Sequence, residues 1–339
     1  MRPRLPGERN LHEPTNGNDE ICPKDYGVDN MRIAVTGATG FIGRRVVASL
    51  ADAGHYVIPI VRRDSGMANG VNIGDLATVT SEQMSTLSTQ CDGFVHLAAR
   101  TRAQPGQSDD RIMHSINVIG SLNAVRLARQ MHAKRFVFLS SAKVHGESTG
   151  TDKPFYAHDA LRPVGVYAQS KVAAEHLLRA EAQKIGMDLV ILRPPLVYGA
   201  PVTGNFQWLV WLATSGIPLP IANLQNARSM IYVDNLADAI KTALERPTAV
   251  MRPLLVSDDY NWSTGDLMQA IANARGDRFS SFSIPSQFFG MAQKIPIFGT
   301  FTKKLLGNLT VDCTECRSEL GWHPPISPLL AIAKSVAPA

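Results

Sequence analysis

Several things are scarce in this chain, and each scarcity removes a class of protein. Cysteine occurs four times in 339 residues, too thinly for the disulfide framework of a small secreted domain. Lysine and arginine are scattered, with no run of five. No basic stripe interleaved with aromatics is seen, so a nucleic-acid partner is not expected. No stretch reaches the ~20 apolar residues of a membrane span, and no basic-then-apolar leader opens the chain. The expectation is a cytoplasmic protein without stable membrane insertion. Charged residues are 19% and aromatics 7% of the chain, which is ordinary globular composition. A net charge of +5 suits anionic small molecules without demanding a polyanion.

Residues 1–30 stand apart. Six acids outnumber four bases there, prolines and asparagines are frequent, and no apolar periodicity runs through them. A disordered tail is expected, with Met31, directly before the first strand, as an alternative translation start. Near the other end, Cys313 and Cys316 form a Cys-x-x-Cys without a second ligand pair at zinc spacing. They read as two cysteines at a helix start, with no metal.

From Arg32 onward strands and helices alternate. Strands are expected at about Arg32–Val35, Tyr56–Val61, Gly93–Ala98, Arg135–Ser140 and Asp188–Leu192, and helices at about 41–53, 111–132 and 166–185. This repetition predicts an α/β fold: a doubly wound parallel sheet covered on both faces. Pro59 falls inside the second strand, where a missing ladder donor predicts a local distortion. The reading divides the chain into a dinucleotide-binding domain at 31–198 and, at 199–339, mostly a smaller substrate-binding lobe. About 230–257 is expected to return to the first domain. The apolar stretch Ile295–Phe301 is too short to span a membrane; it reads as lobe, with contact to a membrane surface as the alternative.

Chemistry enters at the first turn. Gly37, Gly40 and Gly43 follow a strand and open a helix, the setting that receives a dinucleotide pyrophosphate on unpaired N–H groups and a positive helix end. The first glycine permits the turn, the second the approach of the phosphates, the third close helix–strand packing. Thr39, Phe41 and Ile42 complete this cradle. Further cofactor contacts are expected from Asp75 and Leu76 at the adenine edge, from Leu97, Ala98 and Ala99 after another strand, and from Pro194. Arg62, beside Arg63, ends the second strand, where an arginine favours the extra phosphate of NADP(H). With both arginines solvated, Asp64 takes the ribose and the cofactor is NAD(H).

Tyr167 and Lys171 form a Tyr-x-x-x-Lys at a helix start, which puts both on one face. A neighbouring ammonium and an oxidised nicotinamide would pull the phenol below its usual ~10, so that Tyr167 exchanges a proton with a substrate oxygen. Ser141 follows a strand at the carboxyl edge, where a hydroxyl can hold the reacting oxygen.

Together the glycine turn, His96-Leu97-Ala98-Ala99, Ser141, Tyr167-x-x-x-Lys171 and the segment Arg193–Gly199 resemble the extended short-chain dehydrogenase/reductases, which include sugar-nucleotide epimerases, dehydratases and reductases. Ser141–Glu147, Gly204-Asn205-Phe206 and Arg228–Asp234 are most similar to a bacterial branch. Its members are described as UDP-glucose 4-epimerase-like or as UDP-N-acetylquinovosamine-forming 4-ketoreductases. The resemblance implies a Ser141–Tyr167–Lys171 triad, Lys171 also holding the cofactor ribose. It implies Arg228 on a substrate diphosphate, Asn205 on the nucleotide, a UDP-sugar substrate and a homodimer paired through the helices at 111–132 and 166–185. Lys143 is either a phosphate ligand or solvated. Asn117 is either a helix residue or part of a proton relay.

His145 stands where the family often has tyrosine, and Leu196 where many members have asparagine. Arg62 and Arg63 depart from the acidic ending of NAD-retaining epimerases, which favours a reductase using fresh cofactor. The expected reaction is NAD(P)H-dependent reduction of a UDP-4-keto-6-deoxyhexosamine for surface-polysaccharide synthesis. The alternatives are an NAD-dependent UDP-hexose 4-epimerase and a non-catalytic cofactor-binding protein. Outside this set, His96 reads as a packing residue, Trp208 and Trp211 as lobe packing, and Trp322 as a structural anchor.

Overall fold

The computed structural model describes residues 30–337 except 88, 102–108, 152, 203, 223, 247–251 and 284–306. Of the expected tail at 1–30 only Asn30 is described, and the apolar stretch Ile295–Phe301 lies outside the described residues. In chain order the first half runs β1 (Arg32–Thr36), α1 (Phe41–Asp52), β2 (Tyr56–Val61), β3 (Val71–Asn72), α2 (Ser81–Ser85), β4 (Gly93–His96), α3 (Asp109–His114), α4 (Gly120–Gln130) and β5 (Arg135–Leu139). Then come α5 (Gly165–Ile185), β6 (Asp188–Arg193), β7 (Leu196–Tyr198), α6 (Gly204–Thr214), β8 (Arg228–Tyr232), α7 (Val233–Glu245), β9 (Pro253–Leu255), β10 (Asn261–Trp262) and α8 (Thr264–Arg275). The helices α9 (Thr314–Leu320) and α10 (Pro328–Val336) close the chain.

A seven-stranded sheet has the order β3-β2-β1-β4-β5-β6-β9, with every pair parallel. Apart from their ends, its longer strands are apolar because both faces are covered. In β5, Phe136 and Phe138 join the core on one face with Phe94, Leu127 and Leu178. Val137 and Leu139, pointing the other way, join Val46, Leu236 and Leu254. This is the period of two expected along a strand. Burying each such side chain stabilises the fold by roughly 1.5–3 kcal/mol. A second sheet, β10-β8-β7, carries a third core with Phe206, Leu267 and Ile271. After β8 the chain goes back: α7 packs on α1, and β9 pairs with β6.

The distortion expected at Pro59 does not occur. Register runs unbroken from Arg32↔Tyr56 to Thr36↔Ile60. The Tyr56 amide bonds toward β1 and the Val61 carbonyl toward β3, so Pro59, in step with Val61, turns its missing donor toward β3. That strand begins pairing only at Ile60↔Val71, so no ladder bond is lost. The single helix expected at 111–132 is also interrupted. A π-helical turn, Ser115–Ile119, separates α3 from α4, and it contains Asn117, whose side chain is tied to neighbouring segments.

Candidate active site

At the carboxyl ends of β1 and β4, where strand order reverses, the glycine turn meets the Leu97–Ala99 loop. Gly37 has φ +69°, and a Cβ there would lie 2.7 Å from the Ala98 amide nitrogen. A Cβ on Gly43 would collide with the Gly37 carbonyl. Thr36 Oγ1 accepts from the Ala98 amide and bonds to His96 Nδ1 at 2.7 Å, while His96 Nε2 bonds to Ser121 at 3.0 Å. Burial and the Lys171 charge push His96 down to about 3. It is a neutral packing residue, as its position suggested. No side chain caps α1 and no acid occupies its first turn. Its first N–H groups are therefore available to an anion. The close glycine cradle and this open helix end fit a dinucleotide.

Beside the turn lies a cleft of about 790 Å³. Phe41, Ile42, Leu97, Ala99 and Pro194 line it from the sheet edge, and Ser141, Lys143, Tyr167, Lys171 and Arg228 line it as well. Ser141 follows β5 by two residues and caps a short 3-10 turn, accepting from the Lys143 amide at 3.3 Å. Tyr167 sits in the first turn of α5, and its phenol shares a hydrogen bond with Ser141. Burial outweighs that bond and pushes Tyr167 up to about 12. Of the two groups expected to lower the phenol, Lys171 is not among those acting on it. The ammonium instead donates to the Leu139 carbonyl at 2.9 Å and stands 4.6 Å over the Phe138 ring. Burial lowers Lys171 to about 8, with Glu175 opposing.

Glu175 continues the stripe of Tyr167 and Lys171 by one more turn. Its carboxylate accepts Arg193 Nε at 3.0 Å, Arg193 Nη2 at 2.5 Å and Ser140 Oγ at 2.6 Å. Arg193 also donates to His145 Nε2 at 3.0 Å and to the Ala157 carbonyl. Burial and this guanidinium lower His145 to about 4. A fully buried network thus ties together the residues before Ser141, after Lys171 and before Pro194. Asn117 fixes the other side: it accepts from the Arg100 amide at 2.8 Å and donates to the Arg100 carbonyl and Ser170 Oγ, each at 2.9 Å.

Lys143 pairs with Glu147 at 3.3 Å. Arg228 donates to the Gly307 carbonyl at 2.9 Å and is lowered by burial, with Glu147 opposing. Leu196 also lines the cleft. Asn205 lies on α6, but its side chain is outside the described residues. Asp75 and Leu76 do not line this cleft. Asp75 faces Arg62 across 3.9 Å, and the Leu76 carbonyl accepts from Asn123. Arg62, Arg63 and Asp64 are exposed beyond β2.

The remaining singled-out residues divide. Trp322 is buried and donates to Asp238 at 2.9 Å, an anchor as expected. Trp208 and Trp211 are 56% and 52% exposed and meet edge to face, which corrects their reading as lobe packing. Cys313 and Cys316 are buried at the start of α9, and burial raises both thiols. Among the described residues no group of three metal-ligating side chains forms, and no helix is long and apolar enough to cross a membrane. Glu147, Glu175 and Trp262 escaped the sequence reading. Only Glu175 had a signal, its spacing of four from Lys171.

Residues 33–261 match the NAD dependent epimerase/dehydratase family. The chain is 33% identical over 301 residues to a UDP-glucose 4-epimerase of Vibrio cholerae, covering 86% of this chain and 90% of the relative. Its fold is similar to RMD from Pseudomonas aeruginosa complexed with NADPH, with TM-score 0.70, 19% identity and coverage of 91% and 98%. It is equally similar to a UDP-glucuronic acid 4-epimerase from Bacillus cereus in complex with NAD, with TM-score 0.70, 19% identity and coverage of 90% and 97%. Fold, glycine turn and sequence match agree: the chain is a nicotinamide-dependent enzyme and belongs to the NAD dependent epimerase/dehydratase family.

Proposed function

We propose that the protein reduces the 4-keto group of a UDP-4-keto-6-deoxyhexosamine, of the UDP-N-acetylquinovosamine type, for surface-polysaccharide synthesis. The observation that carries this reading is the convergence of Ser141, Tyr167 and Lys171 with Lys143 and Arg228 on one cleft beside the glycine turn. Bound NAD(P)H supplies the hydride that C4 takes up. Tyr167, held protonated by burial, gives its proton to O4, so the carbonyl becomes a secondary alcohol. Ser141 holds O4 by hydrogen bonding as negative charge moves onto it. Lys171 keeps a positive charge near the phenol and binds the cofactor ribose. Arg228 and Lys143 bind the diphosphate, Lys143 exchanging Glu147 for a phosphate oxygen, and Asn205 meets the nucleotide.

NADP(H) is the favoured cofactor, because Arg62 stands at the end of β2 with an exposed guanidinium able to take the extra phosphate. NAD(H) is the alternative, and Asp64, exposed beyond β2, would then hold the ribose. A homodimer formed through α4 and α5 in the cytoplasm completes the reading.

The second reading is a UDP-hexose 4-epimerase with retained NAD. The likeness to the Vibrio cholerae enzyme supports it, and the same three side chains would first remove and then return the proton. Incubation with a UDP-4-keto sugar and NADPH tests the choice. Stoichiometric loss of NADPH absorbance is expected. No loss, with interconversion of two UDP-hexoses, would replace the reductase by the epimerase.

A further inference from the structure

We infer that Trp262 is a specificity residue of the substrate cleft, its indole N–H donating to an acceptor oxygen of the bound nucleotide. The inference rests on the nucleotide-sugar reading and deepens it.

Trp262 is 4% exposed and lines the cleft. Its Nε1–H is buried without a hydrogen-bond partner. Such an orphan donor has given up its hydration and regains nothing in the folded chain, whereas buried polar groups are nearly always paired. By contrast, the indole of Trp322, equally buried, has its carboxylate at 2.9 Å.

The position of Trp262 says what the donor meets. On the small sheet it lies directly opposite Arg228, on antiparallel strands. Opposed residues of an antiparallel pair send their side chains to the same face, with Cβ atoms about 4.5–5.5 Å apart. Both line the cleft. A guanidinium and a neutral N–H therefore leave one face side by side. The Tyr260 ring packs edge-on against the indole, with ring centroids 4.7 Å apart. Leu209, Leu267 and Leu309 form apolar walls at this end, where a hydrogen bond is poorly screened. A cation with an adjacent neutral donor matches a phosphate oxygen. The carbonyl of the base is the other acceptor that a nucleotide brings.

The test uses the full chain loaded with NADPH, titrated with UDP and, separately, with uridine. Trp262→Phe keeps an aromatic ring and removes the donor. UDP binding is expected to weaken between about tenfold and a hundredfold, with uridine binding unchanged if the acceptor is a phosphate. Equal weakening for uridine keeps the donor and assigns it to the base carbonyl. A second measurement does not depend on how the variant packs. In protein labelled with 15N-tryptophan, four indole N–H signals are expected, assigned by single Trp→Phe variants. The signal of Trp262 should move downfield on saturation with UDP. If wild-type protein binds no UDP, the nucleotide-sugar reading fails and takes this inference with it. If UDP binds, Arg228→Ala weakens that binding, Trp262→Phe leaves it intact and the Trp262 signal of the wild-type protein does not move, this inference alone is overturned.

Discussion

Lys171 gives its ammonium to the carbonyl oxygen of Leu139, at 2.9 Å, and burial lowers it from 10.5 to about 8. Two pH effects of opposite sign follow. The charge with which Lys171 would hold the cofactor ribose in the proposed reaction is present below about pH 8 and lost above it, so kcat at saturating cofactor should fall as pH rises through that value. Stability should move the other way. Between about 8 and 10.5 the unfolded chain keeps the proton that the folded chain has lost, so folding becomes more favourable with rising pH. Tm measured across this window should show a rising contribution that disappears in Lys171→Met. A kcat profile flat through pH 8 to 10 would remove the ammonium from the reaction.

Glu175 and Arg193 are each nearly inaccessible and bonded through two contacts. Removing one partner leaves a buried charge uncompensated, which costs about 3–5 kcal/mol. Denaturant unfolding of Glu175→Ala should show a loss of that size. Replacing both residues by methionine should cost less, because no charge is stranded. The same loss in both variants would mean that packing, not charge, dominates the site.

Much of this arrangement was legible in the sequence. Gly37 announces its turn, since φ +69° and a backbone 2.7 Å from its absent Cβ exclude other residues. The strands at 56–61, 135–139 and 188–193 follow from their unbroken apolar runs. What escaped depends on contacts between distant segments. Asn117 lies in a π turn because its carboxamide meets Arg100 and Ser170, and nothing local predicts that partnership. The phenol of Tyr167 is raised rather than lowered because burial acts on it and the ammonium turns to Leu139. Spacing placed the two residues on one helix face but could not say where the amine would point. Trp262 sits in a strand of two residues, too short for any periodicity to reveal.

Arg62 provides the cofactor test. Its side chain is two-thirds exposed and 3.9 Å from Asp75, so it is free to turn to a ribose phosphate at little cost. Arg62→Ala should weaken NADPH binding by about tenfold or more, since a charge-assisted contact contributes ~1.5–3 kcal/mol, while NADH binding stays within twofold. Equal effects on the two cofactors would assign Arg62 to the surface and leave the ribose to an acid.

The most direct measurement follows one deuterium atom and one proton donor. Wild-type protein and Tyr167→Phe are each given a UDP-4-keto-6-deoxyhexosamine and NADPH deuterated on the transferable position. The account predicts deuterium at C4 of the sugar with wild type. In the variant the rate should fall by at least about a hundredfold, with NADPH affinity unchanged. Transfer by Tyr167→Phe at the wild-type rate would contradict it.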